Sequence, residues 1–94
     1  MALIKAGYKA VATTDGPTLV RSGPAGFFGF VVAGGATVSV TVYDNTAASG
    51  AVLYSKTTHA AGDVVHFGGV GLAANQGLFV VVSGASGLVN IMHA

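Results

Sequence analysis

The sequence feature that most constrains the fold is a strict alternation of apolar and polar side chains between Ala36 and Asp44. Every second position carries a valine, at Val38, Val40 and Val42, and the positions between them carry threonine or serine. Successive side chains of an extended chain point to opposite faces of a sheet. A period of two therefore predicts a β-strand with one face in a hydrophobic core and the other toward water or a neighbour.

Seven other short segments rich in valine, threonine and aromatic residues also predict strands. They are Tyr8–Thr13, Thr18–Ser22, Ala25–Ala33, Ala51–Thr57, Asp63–Phe67, Leu78–Ser83 and Leu88–His93. Two of them, Ala25–Ala33 and Leu78–Ser83, are apolar on both faces, so we expect central strands that are covered on each side.

Glycine and proline mark the connections between these strands. Asp15-Gly16-Pro17 predicts a turn, and Gly34-Gly35 predicts a hairpin into the alternating strand. Ala51–Thr57 is expected to pair with Asp63–Phe67 across a loop of small residues. The glycine runs Gly68–Gly71 and Gly84–Gly87 are interpreted as turns and bulges, because neither has the Lys and Ser/Thr of a phosphate loop.

Helix signals are poor, since glutamate is absent, arginine occurs once and fifteen glycines are scattered along the chain. The predicted fold class is all-β: a single small β-sandwich or jelly-roll-like barrel of about seven to eight short antiparallel strands. Jelly-roll and immunoglobulin-like connections are not separated by this pattern. One domain spans residues 1–94, with residues 1–7 as a candidate N-terminal arm.

Charge is the second constraint. Only 7% of the residues are charged, against roughly 25% in ordinary soluble domains, and 52% are hydrophobic. A free monomer would expose large uncharged patches, which usually mark interaction surfaces. Glycine and polar residues interrupt every apolar stretch, so no membrane span is expected, and the first residues are too short for a secretion signal. We expect a soluble chain that is not exported and that works in a stable oligomer or a lattice of partners.

The titratable residues predict no active site, metal site, cofactor site or nucleic-acid interface. Cysteine is absent, and the four cations form no basic stripe. The histidines lack the close spacing of metal ligands and are interpreted as surface or interface residues: His59, His66 and His93. The aspartates suit turns, because they bond to nearby backbone: Asp15, Asp44 and Asp63. A triad of Ser83, His66 and Asp63 has no local signature of a hydrolase. We therefore expect no enzyme.

Aromatic residues are the better functional candidates. Tyr8, Tyr43 and Tyr54 lie in or beside predicted strands next to polar residues. Tyrosine combines a large contact area with a polar tip, which suits interfaces, and the alternative is that these tyrosines edge the core. The phenylalanines are expected in the core: Phe27, Phe28, Phe30, Phe67 and Phe79.

The segment Val42–Leu53, with the turn Tyr-Asp-Asn-Thr-Ala-Ala-Ser-Gly, resembles a stretch found in small virion proteins of tailed bacteriophages. Gly77–Gly84 continues the resemblance, which covers residues 36–57 and 77–92. It implies a β-sandwich of the capsid decoration (cement) or head-fibre type, made in the host cytoplasm and bound to the major capsid protein on the outer surface of the head. The resemblance favours a homo-trimer over a dimer, because trimers suit the three-fold positions of an icosahedral shell. The alternative is a tail, fibre or lectin-like module that recognises a host surface glycan.

Overall fold

The computed structural model describes residues 7–67 and 71–94. The expected N-terminal arm, apart from Gly7, and residues 68–70 of the expected glycine turn lie outside the described residues. Within the described chain, nine strands and one turn of 3-10 helix follow in order: β1 Gly7–Ala12, the 3-10 helix Thr13–Asp15, β2 Thr18–Ser22, β3 Ala25–Gly34, β4 Val38–Asp44, β5 Ala51–His59, β6 Val64–His66, β7 Leu72–Ala74, β8 Gly77–Ser83 and β9 Leu88–His93.

The strands form two antiparallel sheets that pack face to face as a β-sandwich. Sheet one has the order β1-β9-β3-β6, and β7 pairs with β3 on the same side as β6. Sheet two has the order β2-β8-β4-β5. The predicted all-β sandwich is confirmed, and β3 and β8 are central strands as expected.

Two expected strand pairs are wrong, because the chain crosses between the sheets where a hairpin was predicted. Gly34-Gly35 leads from β3 in sheet one to β4 in sheet two, and Gly35 adopts φ +99° at this crossing. The crossing places β3 and β4 in opposite sheets, so that their inward side chains join one core between the sheets. The partner of β5 is β4, while β6 pairs with β3.

The core lies between the two sheets and consists of their inward side chains, and in β3 the inward parity changes at the register shift between Phe27 and Gly29. Its fully buried members are Val11, Phe27, Phe30, Val32, Val38, Val40, Val42, Leu78, Val80, Val89 and Ile91. The three valines of the alternating strand are all among them, which confirms the period-two prediction. Phe67 packs against this cluster from its edge.

Some details differ from the sequence predictions. Phe79 is wrong as a core residue, because it stands opposite Leu19 and Tyr43 at the outward parity of β8 and is half-buried. Phe28 is buried, but beside Gly26 and Gly71 and outside the main cluster. Strand β7 and the 3-10 helix were not predicted, since three residues are too few to show a period.

The expected turn at Asp15-Gly16-Pro17 is confirmed. Asp15 accepts a hydrogen bond from the backbone N–H of Ala12 at 2.8 Å, and Gly16 adopts φ +67°. Asp44 acts at longer range than a local turn residue. Its Oδ1 accepts the backbone N–H groups of Asn75 and Gln76 at 2.9 and 2.8 Å, and these bonds tie the end of β4 to the β7–β8 turn.

Candidate assembly surface

The outer face of sheet two carries a continuous row of large side chains that crosses all four strands. Leu19 of β2 lies opposite Phe79 of β8, Phe79 lies opposite Tyr43 of β4, and Tyr43 lies opposite Val52 of β5. Leu19 and Val52, at the two ends, are 42% and 52% exposed. We call these four residues the apolar row. Side chains at directly opposed positions contact one another, so the row forms one continuous apolar strip.

The rest of this outer face is small and uncharged. The next set of opposed residues is Val81, Thr41 and Ser55, and the hydroxyl oxygens of Thr41 and Ser55 are 3.4 Å apart. Beyond them Ser39 lies opposite Ser83. The face therefore changes from apolar at one end to hydroxyl-bearing at the other.

Sheet one has a second uncharged outer face. Across β1, β9, β3 and β6, one row contains Ala10, Asn90, Val31 and Val64. Tyr8, Met92, Gly29 and His66 form the row on one side of it, and Ala12, Leu88 and Gly34 the row on the other. Val64 is 62% exposed.

The charged residues of the described chain lie instead along the edges and turns, which we call the rim. Three are aspartates at strand ends or turns: Asp15, Asp44 and Asp63, the last between β5 and β6. Three are cations of edge strands: Lys9, Arg21 and Lys56. Each cation stands opposite a core residue at the inward parity: Lys9 opposite Ile91, Arg21 opposite Leu78 and Lys56 opposite Val40.

Electrostatics agree with this placement. The pKa of His93, at the end of β9 in sheet one, is lowered by burial and then by the positive charges of Arg21 and Lys9. Arg21 belongs to sheet two, so its charge must reach across the gap between the edges of the two sheets. On the other side the pKa of Asp63, in the β5–β6 turn, is lowered first by the Ala60 backbone N–H and by His59, and last by the charge of Lys56. The cations therefore border the opening between the sheets and leave both outer faces uncharged.

The three candidate tyrosines occupy three different environments. Tyr8 lies on the outer face of sheet one and is 71% exposed. Tyr43 belongs to the apolar row on sheet two and is half-buried. Tyr54 turns inward opposite Val42 and packs against the core, which matches the alternative interpretation of the tyrosines as core-edge residues.

Tyr54 joins a chain of three polar side chains with His59 and Asp63, in which His59 is buried, Tyr54 is half-buried and the Asp63 side chain is 45% exposed. Its hydroxyl lies 2.6 Å from His59 Nε2, and His59 Nδ1 lies 3.1 Å from Asp63 Oδ2. The interpretation of His59 as a surface or interface histidine is wrong, since it is 3% exposed. A register shift between Val38 and Val40 explains this: without it, residues 54 and 59 would point to opposite faces of β5.

The protonation pattern of this chain follows from its partners. The Ala60 backbone N–H and the His59 side chain hold the pKa of Asp63 below its usual value, so the carboxylate accepts the Nδ1–H of His59. Burial, helped by the charge of Asp63, raises the pKa of Tyr54. The phenol therefore stays protonated and donates to Nε2. A phenol with a raised pKa is a poor nucleophile, so the geometry suits a structural link between the β5–β6 turn and the core.

The remaining titratable candidates do not converge. Ser83 lies on β8 of sheet two, while His66 is exposed on β6 of sheet one, and the Asp63 carboxylate contacts His59. Among residues 7–67 and 71–94, no group of three or more histidines and acids is placed to hold a metal ion, and no pocket is found. The same residues contain no helix long and apolar enough to cross a membrane.

Sequence reasoning did not single out Leu19 and Val52, the exposed ends of the apolar row. Their significance depends on strand order, because β2 and β5 lie at opposite edges of one sheet and only the register aligns them. No signal in the sequence separated them, because their neighbours in the chain are mostly apolar as well, namely Val20 beside Leu19 and Ala51 and Leu53 beside Val52. No family model, curated protein or solved structure matches the chain.

Proposed function

We propose that this chain is a structural protein of a bacteriophage particle: a homo-oligomeric capsid decoration (cement) protein without catalytic activity. It binds the outer surface of the head and stabilises the lattice of the major capsid protein. The observation that carries the proposal is the separation of charge from the broad faces. Both outer faces of the sandwich are uncharged over the described residues, and the cations are confined to the rim.

The dimensions of the molecule support a role in a lattice. The sandwich measures 41 × 27 × 18 Å, and its shortest dimension corresponds to two packed sheets. It therefore has two broad faces on opposite sides, and a standard protein interface buries about 800 Å² per partner. A flat domain with an uncharged surface on each side is suited to contact one partner below and another above or beside it.

The low charge supports the same proposal. The folded chain exposes 4936 Å² of surface, and the sequence has only seven charged residues to cover it. Exposed apolar residues such as Val64, Val52 and Leu88 are tolerable when neighbours in an assembly cover them. The resemblance of residues 36–57 and 77–92 to virion proteins of tailed phages names the kind of assembly.

The first test is the location of the chain on intact particles. Immunogold electron microscopy with an antibody against the chain is expected to label the icosahedral head evenly, in many copies per particle. Label confined to the tail would contradict the decoration proposal and favour the adsorption module. Absence of label from every particle would contradict both.

The second test asks whether the faces make the contact. Shells depleted of the chain are incubated with purified wild-type protein, and occupancy is measured by sedimentation. A lysine placed on an outer face, by Val64→Lys on sheet one or Val52→Lys on sheet two, is expected to lower the occupancy for at least one of the two variants. Thr14→Lys is the matched control, because it adds the same charge in an exposed turn. Equal occupancy of all four proteins would contradict the proposal.

A further inference from the structure

The edges of this sandwich are protected against strand pairing, and its outer faces are not. Charged side chains that point inward from an edge strand prevent another chain from adding to the sheet. Each of the three long edge strands carries one such cation: Lys9 on β1, Arg21 on β2 and Lys56 on β5. The fourth edge is made of β6 and β7, which have only three residues each. Association of this chain is therefore directed to the faces.

The outer face of sheet two is electrically compatible with a copy of itself. When identical faces meet about a two-fold axis, every charge on the face is brought near a like charge. This face carries none, because Arg21, Lys56 and Asp44 all lie at the inward parity of their strands. The outer face of sheet one is less uniform, since it includes the titratable His66 and two glycines at its centre.

The size of the face suits a pair that uses the whole of it. Its outline is at most 41 × 27 Å, and the four strands alone span about 20 Å across the sheet at the usual interstrand spacing. The strands have five to nine residues and are about 17–30 Å long, so a standard interface of about 800 Å² per partner would use all of this face and the turns that border it. Face-to-face packing of two sheets with nearly aligned strands is also the common geometry of β-sandwiches.

The apolar row is complementary to its own reversed copy. A two-fold axis parallel to the strands keeps positions along each strand and reverses the order of the strands. The order Leu19, Phe79, Tyr43, Val52 would then face Val52, Tyr43, Phe79, Leu19 of the second copy. Each aromatic ring would meet an aromatic ring at the centre, and aromatic pairs gain attraction beyond the area that they bury. At each end a leucine would meet a valine.

We propose that the outer face of sheet two is a self-association surface that binds the same face of a second copy about a two-fold axis parallel to the strands. This inference rests on the proposed assembly function and names the surface through which the chain forms its oligomer. It assigns two-fold symmetry to this contact, where the resemblance to phage virion proteins favoured a trimer. The outer face of sheet one is left for the shell.

The test begins with the mass of the purified wild-type chain in solution, measured by sedimentation equilibrium over a range of concentrations. We expect a dimer of twice the 9.2 kDa chain mass. Leu19→Lys or Val52→Asp alone places an unpaired charge in both ends of the interface. Each is expected to raise the dimer Kd by at least about 100-fold. Leu19 and Val52 are both exposed, so the monomer fold is expected to survive, and circular dichroism verifies this.

The double variant Leu19→Lys/Val52→Asp tests the orientation. Within one copy the two positions lie in β2 and β5, three interstrand spacings or about 14 Å apart. They contact each other only between copies, so combining the charges is expected to restore the Kd to within about tenfold of the wild-type value. Val64→Lys, on the opposite face, is the matched control and is expected to leave the Kd unchanged.

Three results would overturn the inference. The first is a wild-type chain that stays monomeric at about 100 μM, a concentration far above the Kd of a standard interface. The second is a wild-type trimer, and the third is a double variant whose dimer Kd is no lower than that of either single variant. These results are independent of the proposed function. A monomer that still saturates depleted shells would overturn the self-association surface and leave the decoration role standing. A dimer that binds no particle would contradict the decoration role and leave the self-association surface standing.

Discussion

Removing the Tyr54 hydroxyl by Tyr54→Phe isolates the bond that it makes to a buried imidazole. The phenylalanine ring keeps the packing of Tyr54 against Phe30 and Phe67, whose ring centroids lie 5.2 and 6.1 Å away. The change leaves His59 Nε2 without its donor at 2.6 Å, and His59 is 3% exposed, so solvent has little access to replace it. A buried polar atom left without a partner costs about 1–3 kcal/mol. Because Tyr54 is itself half-buried, we expect Tyr54→Phe to lower the free energy of unfolding by about 1–2 kcal/mol, the lower part of this range.

Urea unfolding followed by circular dichroism measures this loss, at one protein concentration for all variants because self-association adds to stability. With an m-value of about 1–2 kcal/mol/M, the midpoint is expected to fall by about 1 M without a change in m. Tyr8→Phe is the matched control, since Tyr8 is 71% exposed and removing its hydroxyl leaves no buried atom without a partner. If Tyr54→Phe and Tyr8→Phe unfold at the same midpoint, the hydroxyl–imidazole bond contributes no stability and the reasoning is refuted.

Three further changes test other parts of the fold. Gly29→Ala is expected to unfold the domain or to lower its Tm strongly, because φ is +136° and the added Cβ would overlap a carbonyl oxygen of β6. Gly62→Ala is the control, because Gly62 has φ +97° and open space around it, so this change measures the cost of backbone strain without the overlap. Val42→Ala removes two methyl groups from a fully buried site, and thermal unfolding should show a loss of about 1–3 kcal/mol. Acid titration should show stability that is present above the ordinary pKa of 3.8 and is lost as the pH falls below it, since the pKa values of Asp44 and Asp63 are both lowered in the folded chain. Asp44→Asn should make the loss on acidification smaller.

The strands of this protein could be predicted from its sequence more readily than their partners. The alternation in β4 predicts which of its side chains are buried, and the apolar residues on both faces of β3 and β8 predict central strands. Both predictions need only the local order of residues. Strand pairing depends on which faces must cover each other, and that is a property of the whole domain. Gly34-Gly35 has the composition of a hairpin turn, yet the aromatic face of β3 needed a second sheet above it.

The candidate surface was less accessible to sequence reasoning for the same reason. Phe79 was expected in the core because a large aromatic in a run of valines usually lies there, but its parity places it outside with Tyr43. The buried position of His59 depends on a register shift of one residue between β4 and β5, and no sequence pattern in β5 predicts this shift. Tyr43 and Tyr8 were identified by chemistry alone, since tyrosine suits an interface wherever it is exposed.

The location of the charges connects the fold to the proposed assembly. In an ordinary sandwich the outward parity carries the polar and charged residues, because that parity faces water. Here the three cations of the edge strands occupy the inward parity, and the outward parity carries valine, tyrosine, phenylalanine, serine and threonine. This inversion is possible only at the edges, where an inward side chain such as Lys56 reaches solvent beside the core. It places charge where it blocks strand addition and withholds it from the surfaces that would meet a partner. The edge charges would also protect a chain that worked alone in water, but large uncharged outer faces favour a chain whose faces are covered.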